Sequence, residues 1–171
     1  MRLFIAILFS PQTVSKLQVL QDELRSQSSR GRFSPRQNLH MTLAFLGDVD
    51  DASHTKAAMD SVNWQPFDLE VNHVAHGRRH QRNLWLARVV PNPSLINLQR
   101  SLGDELKGHG VDFDERGFLP HITLARDVET NIEPWSTPPF GGTVTHIHLM
   151  RSDQVSGGTA YTSIHTCAAR N

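Results

Sequence analysis

Apolar residues recur three or four apart in two long stretches of the chain, and cluster or alternate in several short ones. Val14, Leu17, Leu20 and Leu24 form one stripe, which predicts a helix over residues 12–27. Leu95, Leu98, Leu102 and Leu106 form a second over 94–107, with Gly108 past its end. A shorter helix is predicted over 51–62, with Ala57, Ala58 and Met59 in its second half. The apolar run from Leu3 to Phe9 reads as a buried strand over 2–9, broken at Ser10 and Pro11. Further strands are predicted over 39–46 (ended by Gly47 and Asp48), 67–75, 83–90, 119–126, 143–151 and 159–167. The polar stretches 27–37 and 76–82 and the Pro-rich stretch 134–139 read as loops, and Gly157 with Gly158 joins the last two strands. Helices mixed with adjacent hairpins indicate an α+β fold with mainly antiparallel sheet. Strand, helix, strand recurs in each half, which points to an internal duplication. No linker divides the chain, so residues 1–171 are expected to form a single domain.

Composition narrows the class. The chain is 38% hydrophobic and 20% charged, a globular profile. Lys+Arg and Asp+Glu are both 17, so there is no basic excess of the kind that binds long polyanions. A nucleic-acid substrate should then be held locally, at an end or a single nucleotide. One cysteine, Cys167, allows no intrachain disulfide and no thiolate cage for zinc. The run from Leu3 to Phe9 is too short to span a bilayer, and no small-residue cleavage site precedes Pro11. The expected location is cytoplasmic. Histidine is the departure, with ten residues, and it directs the search.

Residues 40–44 read His-Met-Thr-Leu-Ala and residues 121–125 read His-Ile-Thr-Leu-Ala, 81 positions later and each on a predicted strand. On a strand, i and i+2 share a face. His40 and Thr42 therefore face one way, and Met41, Leu43 and Phe45 the other; His121 and Thr123 are opposed to Ile122 and Leu124 in the same way. An approximate twofold would bring the two His/Thr faces together across one cleft. Two imidazoles near neutrality suit phosphodiester cleavage, one ring accepting a proton and the other donating it. The Thr42 and Thr123 hydroxyls can hold non-bridging phosphate oxygens, and Arg126 can neutralise their charge. Strict alternation places Arg126 on the face of Ile122, so it needs a twist, a bulge or the strand end to reach the site.

These motifs resemble the 2H phosphoesterases, and among them the bacterial RNA 2′,3′-cyclic phosphodiesterases, formerly called 2′-5′ RNA ligases. The resemblance also takes in Arg2 to Ala6, Asn38 to Gly47, Leu84 to Leu86 and Pro120 to Arg126, and so covers essentially the whole chain. It implies a bilobal fold of two mainly antiparallel sheets flanked by helices, with a pseudo-twofold and a central cleft. It also implies hydrolysis of RNA 2′,3′-cyclic phosphate ends to 2′-phosphate, with no metal and no cofactor. By the same resemblance His40 is the proton donor to the departing 3′ oxygen and His121 the base that activates water. Thr42, Thr123 and Arg126 are implied to bind phosphate, and with an RNA 5′-hydroxyl in place of water the same site is implied to form a 2′-5′ linkage.

Other features admit more than one role. Arg78, Arg79 and Arg82 form a basic cluster that fits either an RNA-contacting lip or a solvated hairpin tip. Phe4, Phe45 or Trp85 could stack on a terminal base, or belong to the core. His146 and His148, spaced i, i+2, have a spacing two metal ligands can share, which motivates a metal-dependent hydrolase as a rival. A non-catalytic RNA-end binder is the rival from another class. The expected partners are RNA ends or nucleotides bearing a 2′,3′-cyclic phosphate, with no membrane, no obligate protein partner and a monomeric state.

Overall fold

Two strand-to-helix joints are built alike. β1 (Arg2–Ile7) leads into α1 (Pro11–Ser26), whose N-cap Ser10 accepts a hydrogen bond from the Thr13 amide at 3.2 Å. β5 (Arg82–Val89) leads into α3 (Pro93–Gly108), whose N-cap Asn92 accepts from the Leu95 amide at 2.9 Å. In both, proline takes the first helical position, where a missing amide costs nothing and φ is already helical. The other elements are β2 (Ser28–Phe33), a 3-10 turn (Arg36–Asn38), β3 (Met41–Asp48), α2 (Ser53–Ser61), β4 (Phe67–Arg79) and β6 (His121–Thr130). β7 (Trp135–Val144), β8 (His146–Val155) and β9 (Gly158–Ala168) complete the chain. The computed structural model describes residues 1–79 and 82–170, with the backbone alone at 78, 79 and 82.

The strands form two sheets, ordered β3-β1-β8-β9 and β2-β6-β5-β4-β7, with every pairing antiparallel. Matching β1 to β5 makes β3, β1, β8 and β9 correspond to β6, β5, β4 and β7, with β2 an added edge strand. The α+β, two-sheet, pseudo-twofold architecture expected from the sequence is present. Both long helices cross to the other sheet: α1 follows β1 but packs on β2, β6 and β7, while α3 follows β5 but packs on β3 and α2. The crossing joins the two halves into one apolar cluster, from Leu3 and Ile5 through Leu17 and Leu102 to Ile122 and Leu124. Leu17 and Leu102 are fully buried, so truncating either to alanine should cost about 2–5 kcal/mol.

Two strands lie where the sequence predicts loops. β2 is polar and solvated, and it holds to β6 by backbone pairing and by ion pairs of Arg30 with Glu129 and Arg32 with Asp127. An edge strand wet on both faces has no apolar alternation to betray it. β7 carries Pro138 and Pro139, which an edge tolerates because its outer side needs no donors. Its register with β4 slips there: Phe140 opposes Val71 and Ser136 opposes His73, so Thr137, Pro138 and Pro139 are looped past Asn72. Gly141 then lies so close to β4 that a Cβ would sit 1.9 Å from the Leu69 carbonyl oxygen. The final pair starts later than expected because Thr145 is where the chain leaves one sheet for the other. The β4–β5 hairpin is strand up to Arg79 and from Arg82, so less of 76–82 is loop than expected. The proposed basic lip falls there, and the side chains of Arg78, Arg79 and Arg82 lie outside the described residues.

Candidate active site

His40 immediately precedes β3 and His121 opens β6, the corresponding strands of the two sheets. Each ring is fixed by its own chain. His40 Nδ1 donates to the Asn38 carbonyl at 2.7 Å, and His121 Nδ1 donates to the Leu119 carbonyl, also at 2.7 Å. A carbonyl only accepts, so Nδ1 carries the proton in both rings and Nε2 is the nitrogen left for chemistry. His40 Nε2 lies 3.1 Å from Thr42 Oγ1.

The Leu-Ala of each motif does something that strict alternation conceals. On β3, Ala44 opposes Ile5 and Thr42 opposes Ala6, so Leu43 is an extra residue in the ladder. On β6, Ala125 opposes Trp85 and Thr123 opposes Leu86, so Leu124 is extra in the same way. Each is a β-bulge, which resets the alternation beyond it. Leu43 and Ala44 are both buried, as are Leu124 and Ala125, and the next residue turns back to the histidine face. That residue is Phe45 in the first copy and Arg126 in the second. Arg126 therefore reaches the site through a bulge, one of the routes the sequence left open to it. The placement of Phe45 with Met41 and Leu43 is corrected: it lines the cleft and is 41% exposed. Directly after Arg126, Asp127 adopts φ 53°, and its carboxylate accepts from Arg32 Nε at 3.0 Å, so the strand bends again there.

His40, Thr42, His121, Thr123 and Arg126 line one cavity of about 570 Å³. Phe4 packs on His40 with ring centroids 4.9 Å apart, and Tyr161 meets it edge-on at 5.2 Å. Burial pushes His40 below the ordinary imidazole range; its hydrogen bond to Asn38 opposes this, and the positive charges of His121 and Arg126 add to it. A small cavity that holds two rings, two hydroxyls and a guanidinium favours an anion with oxygens to share among them.

Other parts of the cleft escaped the sequence reading. Arg2 and Ser152 line it, as does Tyr161, and Asp114 pairs with Arg116 through contacts of 2.7–3.1 Å. The face shared by Arg2, Phe4 and Ala6 could have flagged Arg2; the irregular segment holding Asp114 has no period to read. Trp85 is buried and stacks on His76, not on the cleft. His146 and His148 have ring centroids 6.4 Å apart, and among the described residues no third ligand joins them. No helix among those residues is long and apolar enough to cross a membrane.

The profile of the 2′-5′ RNA ligase superfamily matches residues 10–156. An RNA 2′,3′-cyclic phosphodiesterase of Thermotoga maritima is 27% identical, with 98% of this chain and 95% of that protein aligned. One from Escherichia coli K12 is 32% identical over 78% of this chain and 77% of its own length. The crystal structure of Escherichia coli LigT complexed with 3′-AMP superposes with a TM-score of 0.82 at 26% identity, covering 99% of this chain and 98% of that one.

Proposed function

Because this chain belongs to the 2′-5′ RNA ligase superfamily, we propose that it hydrolyses 2′,3′-cyclic phosphates at RNA ends to 2′-phosphates, with His40 and His121 as acid and base. The observation that carries this reading is the convergence of both His-x-Thr motifs on one cavity, each ring pinned through Nδ1 so that Nε2 is the reactive nitrogen. Neutral His121 takes a proton from water as the water oxygen attacks phosphorus. Protonated His40 gives its proton to the 3′ oxygen as the P–O3′ bond breaks, leaving the phosphate on O2′. Thr42, Thr123 and Arg126 hold the non-bridging oxygens, whose charge grows in the transition state. With an RNA 5′-hydroxyl in place of water, the same steps form a 2′-5′ linkage. The chain uses no metal or cofactor in this scheme, acts as a monomer on RNA ends or cyclic nucleotides, and works in the cytoplasm, where RNA fragments are abundant.

The assignment of donor to His40 comes from the family resemblance, because the backbone anchors of the two rings are equivalent. The proposed reaction is tested by incubation of the purified protein in excess EDTA with an oligoribonucleotide ending in a 2′,3′-cyclic phosphate. A 2′-phosphate product, absent with His40→Ala and with His121→Ala, is the expected result. Bound but uncleaved RNA would indicate an end-binding module, and turnover only after metal is restored would indicate a metal hydrolase.

A further inference from the structure

On β9 the residues divide between two surfaces. Tyr161 lines the catalytic cleft, and Ser163 opposes Met150, which packs with Phe4 on that same side. The register then slips, with Met150 opposite Ser163 but Leu149 opposite His165, so Ile164 is extra and the phase reverses. His165 and Cys167 consequently lie across from Leu149 and Ile147, both fully buried, on the surface covered by α2. There Asp60, next to the last residue of α2, meets them. His165 Nε2 is 2.8 Å from Asp60 Oδ1, and Cys167 Sγ is 3.0 Å from the same oxygen.

An imidazole nitrogen, a sulfur and a carboxylate oxygen, all within 4.8 Å of one another, are three of the donor types that zinc takes. We propose that Asp60, His165 and Cys167 form a mononuclear zinc-class site that staples α2 to β9, on the side of the sheet away from the catalytic cleft. Tetrahedral bonds of about 2.0–2.3 Å hold ligand atoms roughly 3.5 Å apart. The contacts of His165 and Cys167 to Asp60 lengthen by about half an ångström on coordination. Asp60 is 58% exposed and His165 25%, so the ion enters from solvent and a water fills the fourth position. Cys167 is buried; burial first, and then Asp60, push its thiol up to about 12, so it does not serve as a free nucleophile. Coordination replaces the S–H bond with a metal–sulfur bond and releases the proton to solvent. Arg170 Nη2 donates to the Asp60 main-chain carbonyl at 2.8 Å, which fixes the end of α2 without occupying the carboxylate.

The test uses the full-length, untagged chain, stripped with chelator and titrated with zinc, with cobalt(II) as a spectroscopic probe. The expected result is one equivalent bound, a sulfur-to-cobalt charge-transfer band, and a melting temperature raised by about 5–10 °C at a hundredfold excess over the dissociation constant. Cys167→Ser and His165→Ala should keep the fold by circular dichroism and lose the band. Their affinity should fall by more than the roughly 10–100-fold that loss of an outer partner costs. His40→Ala should bind as wild type. No stoichiometric binding, or binding that survives in Cys167→Ser and His165→Ala but is lost in His40→Ala or His148→Ala, overturns the proposal. Phosphodiesterase turnover in chelator is read separately, so failure here does not bear on the proposed reaction.

Discussion

His40 and His121 are pinned to the carbonyl two residues back at the same 2.7 Å, on strands with the same bulge in the same place, yet their surroundings differ. His40 is packed by Phe4 and Tyr161, and the residue that supplies its carbonyl is tied down by Asn38 Nδ2 donating to the Thr159 carbonyl at 2.8 Å. The carbonyl that holds His121 belongs to Leu119, which is 49% exposed at the end of an irregular segment. Where the first copy brings Phe45 back to the cleft, the second brings Arg126. The shared frame fixes where both Nε2 atoms lie. The differing neighbours hold the proton affinity of His40 below the ordinary imidazole range, and only the second bulge returns a cation to the cleft. A symmetric scaffold thus carries an asymmetric site.

Removing either ring tests the comparison hardest. His40→Ala and His121→Ala should each lower kcat on the cyclic phosphate by roughly 10²–10⁴-fold, the usual range for a positioned acid or base. A p-nitrophenyl phosphodiester distinguishes the two, because its leaving group departs without a proton. On that substrate His40→Ala should recover most of its loss and His121→Ala should not; the reverse pattern would exchange the roles.

The residues returned by the two bulges come next. Arg126→Ala should cost about 10²-fold in kcat, near the low end for losing one transition-state charge partner. Phe45→Ala should leave kcat nearly unchanged and raise KM about tenfold or more, through lost base stacking, in an oligonucleotide substrate. Equal effects of the two variants on kcat would mean that the positions have not diverged in role.

A smaller effect is expected in the pH profile. His40 is held below the ordinary imidazole value of 6.5, chiefly by burial. A donor must be protonated, so kcat/KM should fall on the alkaline side with a limb below that value, the limbs belonging to the coupled pair. Tyr161→Ala admits water to the ring, relieves the penalty on the charged form and raises the pKa of His40. The alkaline limb should therefore move to higher pH. A limb that stays in place, or moves down, would mean that Tyr161 does not set the proton affinity of His40. The same shift bears on stability: a base whose folded value is depressed stabilises the fold above its unfolded pKa, and that contribution falls away as pH drops below about 6.5.

The motif pair, both long helices and the α+β class were legible because each rests on a period or a repeated string. Leu95, Leu98, Leu102 and Leu106 are buried as their spacing predicts. What escaped had no period. β2 is wet on both faces, β7 carries prolines that an edge permits, and Asp114 with Arg116 belongs to a segment without regular structure. The facing of Phe45 and Arg126 was hidden for a different reason. A bulge adds one residue to a ladder, and whether Leu43 or Leu124 is that residue depends on the partner strand, not on its own neighbours. One insertion in each copy changed which residues face the cleft without changing which residues are apolar.

The smallest effect lies at the two helix starts, and it measures how closely the halves still match in energy as well as in shape. Ser10 and Asn92 hold equivalent positions, each accepting from the amide three residues on and each followed by proline. Ser10→Ala and Asn92→Ala should each lower the unfolding free energy by about 1 kcal/mol, read as a shift in urea midpoint at constant slope. The helices cross to opposite sheets, so a lost cap loosens the lobe on the other side from the one in which its strand lies. Equal costs would mean that both crossings are tied equally into the one core. If Ser10→Ala costs clearly more, the α1 crossing contributes more to cooperativity; Thr13 and its 2.8 Å hydrogen bond to the Gly141 carbonyl, beside the Ser10 cap, supply the physical reason.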